Sequence, residues 1–202
     1  MKALLVHGMG RSPASQLLLS LRLERAGIRT HLFGYSTLAS FNCTVARLAA
    51  RAALVSGSHP FLLIGHSLGS VLIRAALPLL SPRSPSACFF LASPSTACRA
   101  ARYFSRQRLF RLFTGEAGRH LADAAFMSAL PIPSVPTRIY AGTAGPCGAL
   151  SPFGNEPNDG ILTVSETALE LFPVIPVPAL HTFIMNSRVV ADDIVAHSLH
   201  LG

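Results

Sequence analysis

The segment Gly65-His-Ser-Leu-Gly69 has the residue types and spacing of a nucleophile held on a sharp turn. An apolar run over residues 60–64 precedes it and an apolar helical pattern over residues 68–77 follows, which reads as strand, turn, helix. A serine that attacks a carbonyl must stand clear of its neighbours in a crowded backbone. Glycines two before and two after remove the side chains that would collide there. The start of the following helix favours negative charge developing beside the hydroxyl. Ser67 is the expected nucleophile.

A serine hydroxyl needs a base to take its proton, and the base needs a carboxylate to orient it. For a nucleophile on a strand–turn–helix elbow the expected chain order is Ser, then Asp or Glu, then His. Of the eight histidines, His7, His31, His59 and His66 precede Ser67. His120 falls in an irregular stretch, and His197 and His200 lie in or at the end of the last helical pattern. His181, in Pro178-Ala-Leu-His181-Thr-Phe, follows the last strand-like run and precedes that helix, so it is the expected base. Six acids lie between Ser67 and His181: Glu116, Asp123, Glu156, Asp159, Glu166 and Glu170. Asp159 is the expected orienting acid, because Asn158-Asp-Gly160 begins a turn from which an apolar stretch departs. Glu156 shares its loop and is the alternative. Glu166 and Glu170, four apart, read as the solvated face of a helix.

These residues need a frame. Apolar runs predict strands over residues 2–6, 28–33, 60–64, 87–92, 137–141 and, interrupted by prolines, 172–177. Helical patterns cover residues 13–26, 44–56, 68–77 and 187–199. Ser12 is placed to cap the first with Pro13 at its first position, and Gly27 to end it. Strands alternating with helices imply an α/β class: a mostly parallel sheet of about six strands, helices on both faces, and one domain over residues 1–202. In such sheets ligands bind beyond the carboxyl ends of the strands, and Ser67, Asp159 and His181 all fall just after strands. Residues 93–136 break the alternation and read as a helical, lid-like insertion. The Gly-, Pro- and Asn-rich stretch 142–160 is a loop of functional length.

One part of the machinery remains. The tetrahedral intermediate of acyl transfer carries an oxyanion that wants two amide donors. Leu68, the residue after the nucleophile, offers one. The loop after the first strand, His7-Gly-Met-Gly10, offers the other through Met9, with His7 bracing the loop. Together, Val6-His-Gly-Met-Gly10, Gly65-His-Ser-Leu-Gly69, Asn158-Asp-Gly160 and His181-Thr-Phe-Ile-Met185 resemble the α/β-hydrolase superfamily. They look like its small bacterial lipases and the lipase-type domain of GPI-inositol deacylases. The resemblance implies Ser67, Asp159 and His181 as the triad and the Met9 and Leu68 amides as the oxyanion hole. The chain starts directly at the strand before the oxyanion loop, without the N-terminal hairpin of larger members. The expected activity is hydrolysis of carboxylic esters, lipid-like ones above all, with no metal or organic cofactor. Acyl transfer or thioester hydrolysis on the same residues is the alternative, and a non-catalytic lipid-binding scaffold is a third reading.

Composition narrows the class. Half the 202 residues are hydrophobic and 13% are charged, which excludes a disordered chain. No uninterrupted apolar run reaches the span of a bilayer, and residues 1–10 lack the apolar core of a signal peptide, so an intracellular location is expected. Cys43, Cys88, Cys98 and Cys147 show no C-x-x-C spacing and are expected as thiols. The net charge of +8 is uneven: residues 1–98 hold nine Lys/Arg and one acid, residues 120–202 two Arg and seven acids. No zinc-finger, RRM or basic-repeat pattern accompanies it, so specific nucleic-acid binding is not expected. Between them, residues 98–113 mix Arg99, Arg102, Arg106, Arg108 and Arg111 with aromatics. This segment reads either as a covering helix or as a cap that takes an apolar acyl chain and attracts anionic head groups at a membrane surface.

Overall fold

The computed structural model describes residues 1–57, 59–99, 108–149 and 151–201, with residues 108–114 described by backbone alone. Six parallel strands form one sheet in the order β2-β1-β3-β4-β5-β6. They are β1 (Lys2–Val6), β2 (Arg29–Phe33), β3 (Phe61–His66), β4 (Ala87–Leu91), β5 (Thr137–Gly142) and β6 (Val174–Val177). All residues of β3 and β4 are buried, as strands covered on both faces require. The last strand starts at Val174, not 172. Pro173 lacks the amide that would extend the ladder, and Phe172 donates instead to Leu169 O at 3.2 Å.

Helices cover both faces. α1 (Leu17–Arg25) sends Leu19 and Leu23 to the face carrying Ala3, Leu5, Leu62 and Ile64. α2 (Phe41–Ser56) and α3 (Leu68–Ala76) pack on the opposite face, against Leu4, Val6 and Leu63. α4 (Arg108–Ala122), kinked at Gly115, and α5 (Ala124–Ala129) reach that same face through Leu121 and Met127. After a single turn, α6 (Val164–Thr167), the closing helix α7 (Arg188–Ser198) brings Val190 and Ile194 to the α1 side. Arg138 of β5 holds Asp193 of α7 with both carboxylate oxygens, at 2.6 and 2.9 Å, and Tyr140 donates to the same group at 2.6 Å.

The first two helices and Glu166 also differ from the sequence expectation. Residues 13–16 form a 3-10 turn, Ser12 makes no side-chain cap, and the α-helix proper begins at Leu17. α2 begins at Phe41, where the Glu116 carboxylate, on α4 of the same face, accepts the Phe41 amide at 2.9 Å. Glu166 is not on a solvated helix face. It is buried in a capping box with Thr163, while Glu170 lies beyond α6 and is exposed. Of the lid-like segment 93–136, residues 108–122 and 124–129 are helical, and Arg102 and Arg106 lie outside the described residues. Among the described residues, no helix is long and apolar enough to cross a membrane.

Candidate active site

The elbow forms because its neighbours leave room for nothing larger. Ser67, between β3 and α3, adopts φ 51° and ψ −120°, a left-handed conformation costly for a residue with a Cβ. A Cβ on Gly65 would stand 2.6 Å from the Ser70 amide nitrogen, and one on Gly69 would overlap the Val6 carbonyl. The turn is braced from β4, whose Leu91 carbonyl accepts the Ser67 amide at 2.9 Å, and by Ser70 Oγ donating to Gly65 O at 2.8 Å. We expect Gly69→Ala to lower stability by about 3 kcal/mol in a denaturant titration, since the added methyl meets backbone that cannot yield.

The structure brings the three expected side chains together. Ser67 Oγ lies 3.0 Å from His181 Nε2, and His181 Nδ1 lies 2.8 Å from Asp159 Oδ2. With Nδ1–H donating to the carboxylate, Nε2 is left to accept the serine proton. The other Asp159 oxygen accepts the amides of Ile161 and Leu162 at 2.9 and 2.7 Å. Asp159 is 2% exposed, so these donors replace the water it has lost. Glu156 points elsewhere: it pairs with Arg99 at 2.6 Å and accepts from Ser165.

The loops that present acid and base are stitched to each other. The His181 amide donates to Asp159 O at 2.9 Å. Asn158, fully buried, donates to the carbonyls of Pro146 and Glu156 and accepts the Gly160 amide at 2.9 Å, which fixes the turn that aims Asp159. Gly142, at the end of β5, leaves space that a Cβ would take from Ala179 O, at 2.5 Å, and Asp159 Cβ, at 2.6 Å. Arg99 completes the support. Its amide donates to Glu166 at 2.6 Å, and its guanidinium joins Glu156 and Thr163. Arg99, in the stretch read as either cover or cap, thus ties the segment after β4 to the Asp159 loop.

The loop after β1 lies against the nucleophile. A Cβ on Gly8 would be 3.2 Å from Ser67 Cβ and 2.7 Å from His66 Nδ1, so Gly8, the residue before Met9, lies against the elbow. His7 braces this loop, as expected. Its ring stacks on Tyr35 at 4.2 Å, Nδ1–H donates to Gly8 O at 2.9 Å, and the Tyr35 hydroxyl donates to His7 O at 2.8 Å. Burial lowers the His7 pKa and so favours the neutral ring this arrangement uses.

His66 is the residue that chain order passed over. Its Nε2–H donates to the carbonyl of His181 at 3.0 Å, so the base is held at its own amide and its own carbonyl. His66 Nδ1 is buried without a hydrogen-bond partner, against Gly8. Burial first, then the neighbouring His181 ring, pushes its pKa well below 6.5. The sign follows. The unfolded chain takes up a proton near pH 6.5 that the folded chain refuses, so stability is present above that pH and falls as pH drops below it. His66→Gln, which keeps a donor, is expected to flatten this acid-side slope in melts between pH 7 and about 5. His66→Leu is expected to lower kcat about tenfold with KM little changed, as loss of positioning does.

A cavity of about 640 Å³ opens at the other end of the strands, between Lys2, Arg29 and Ser198, away from Ser67 and His181. Among the described residues no group of three or more His, Cys, Asp or Glu has the arrangement to hold a metal ion.

No family model matches the sequence, and no curated protein matches it. Solved structures do match the fold. A lipase of Bacillus licheniformis in its mature form superposes with TM-score 0.80 at 15% identity, over 97% of this chain and 91% of that one. A metagenomic carboxyl esterase gives TM-score 0.68 at 16% identity, over 100% and 74%. The fold is that of the α/β-hydrolases. A thioesterase from the prodiginine pathway of Streptomyces coelicolor shares this hydrolase fold at TM-score 0.61 and 17% identity, over 98% and 88%.

Proposed function

We propose that the protein is a serine hydrolase of carboxylic esters. The continuous hydrogen-bond chain from Ser67 through His181 to Asp159, at the carboxyl ends of the strands, carries this reading. Ser67 Oγ attacks the acyl carbonyl while His181 Nε2 takes its proton, and Asp159 stabilises the imidazolium that forms. The Met9 and Leu68 amides stabilise the oxyanion. His181 then protonates the leaving alcohol, and the acyl group remains on Ser67. Water, deprotonated by the same imidazole, releases the acid and restores the serine. Half-exposed Ile161, Leu180 and Phe183, all within a few residues of Asp159 or His181, support an apolar, lipid-like acyl partner.

The test is a fluorophosphonate probe, which should phosphonylate Ser67 Oγ with loss of fluoride, followed by p-nitrophenyl esters of graded chain length. Absence of labelling would leave the fold as a non-catalytic scaffold. A thioester panel run in parallel decides the second reading, which the thioesterase likeness favours. Faster turnover of acyl thioesters than of the matching oxygen esters would move the assignment there.

A further inference from the structure

α1 is built with two apolar flanks, and only one is used by the core. Leu19 and Leu23 are fully buried under the sheet. Leu17, Leu18 and Leu21 are 49, 41 and 54% exposed. Their spacing of three and four residues sets them on one face of the helix. A surface leucine is ordinary when alone. Here a shallow groove of about 330 Å³ joins Leu17 and Leu18 to Phe183 and Met185 of the His181–Asn186 turn, with Ser15, Thr182 and Asn186 also in its walls, and to Arg11 beyond the oxyanion loop. Phe183 is 55% exposed and stands two residues from the base.

Cations frame this patch. Arg11 closes the groove, and Arg22 and Arg25 continue the helix face one turn beyond Leu18 and Leu21. Arg22 reaches back to donate to Asn186 O at 2.6 Å. The one acid of α1, Glu24, is turned away, accepting the Thr30 amide and hydroxyl at 2.9 and 2.8 Å. Apolar area rimmed by arginines is complementary to a layer that offers hydrocarbon beneath a negative surface.

We propose that the α1 face formed by Leu17, Leu18 and Leu21, with Phe183, docks the protein on an anionic lipid surface through Arg11, Arg22 and Arg25. The docking places the oxyanion loop and the His181 turn at the lipid, so a substrate ester would enter from the layer itself. This deepens the hydrolase reading, and binding is therefore measured apart from turnover.

Ser67→Ala protein, which cannot turn over, is mixed with vesicles of phosphatidylcholine and with vesicles holding phosphatidylglycerol, and the bound fraction is read by co-sedimentation. Binding to the phosphatidylglycerol vesicles, weaker at high salt, is expected. Leu17→Ser, Leu18→Ser and Leu21→Ser together should weaken it about a hundredfold, taking about half of full burial for each leucine. Arg22→Gln with Arg25→Gln should weaken it about thirtyfold. With Ser67 restored, the triple leucine variant should hydrolyse a short soluble ester as wild type does. The proposal is overturned by no binding to either vesicle, by equal binding to both, or by unchanged binding of the leucine variant. Loss of soluble-ester turnover in that variant would also overturn it, making the face a substrate subsite. Failure of fluorophosphonate labelling with vesicle binding intact would sink the hydrolase reading and leave the docking surface standing.

Discussion

Ser67→Ala is expected to abolish fluorophosphonate labelling and to cut ester turnover by about 10⁶-fold, the scale at which a triad that works as one unit fails. The residue cannot be replaced by a neighbour. Ser70, three residues on, is fully buried and donates to Gly65 O, so its hydroxyl is committed to the turn. Melting should change little, because among the described residues the hydrogen bond of Ser67 Oγ is to His181 Nε2. An alanine at φ 51° bears the same backbone cost as the serine did. Turnover that persists in this variant at more than a few per cent would assign the chemistry to another group.

Asp159→Asn is expected to lower kcat by about 10⁴-fold, with Glu156→Gln nearly without effect. The amide of asparagine is nearly isosteric, but it offers Nδ2–H where His181 Nδ1 now finds an acceptor. The ring is then driven to the tautomer with its proton on Nε2, where it cannot accept from Ser67. Glu156 has no access to the imidazole. Its oxygens are engaged by Arg99 and Ser165, and Arg99 with the Ser165 hydrogen bond keeps its carboxyl below the usual range. A larger loss from Glu156→Gln than from Asp159→Asn would mean the loop rearranges to present the other acid.

The contrast between these two carboxylates shows where the sequence was readable. Ser67 was legible because every demand of the elbow is local: glycines at 65 and 69 answer to backbone atoms brought near by the strand and the helix on either side. Asp159 and His181 were legible from chain order, which the parallel strand order translates into adjacency. His66 was not. Its role is one hydrogen bond to a carbonyl 115 residues on, and nothing in a pentapeptide records the partner. Glu166 was misread because spacing four from Glu170 suits a helix, whereas the helix ends at Thr167 and the buried box with Thr163 claims the side chain. For the same reason as the hydrogen bond of His66, the ion pairs of Arg99 were hidden. Its partners, Glu156 and Glu166, arrive from residues far along the chain.

The strand order also sets a schedule. The nucleophile's turn needs β1, β3 and β4, all made from the first 91 residues, since Val6, Gly65 and Leu91 define it. His181, the proposed base, follows β6, which pairs with β5 and lies in the last thirty residues. In a chain made from its N-terminus, the residues that shape the Ser67 turn are therefore available before those that bring His181 to it. Closing these long-range pairings is the slow part of assembling a parallel sheet. On the proposed chemistry, probe reactivity is expected to count those molecules in which the last strand has joined the sheet.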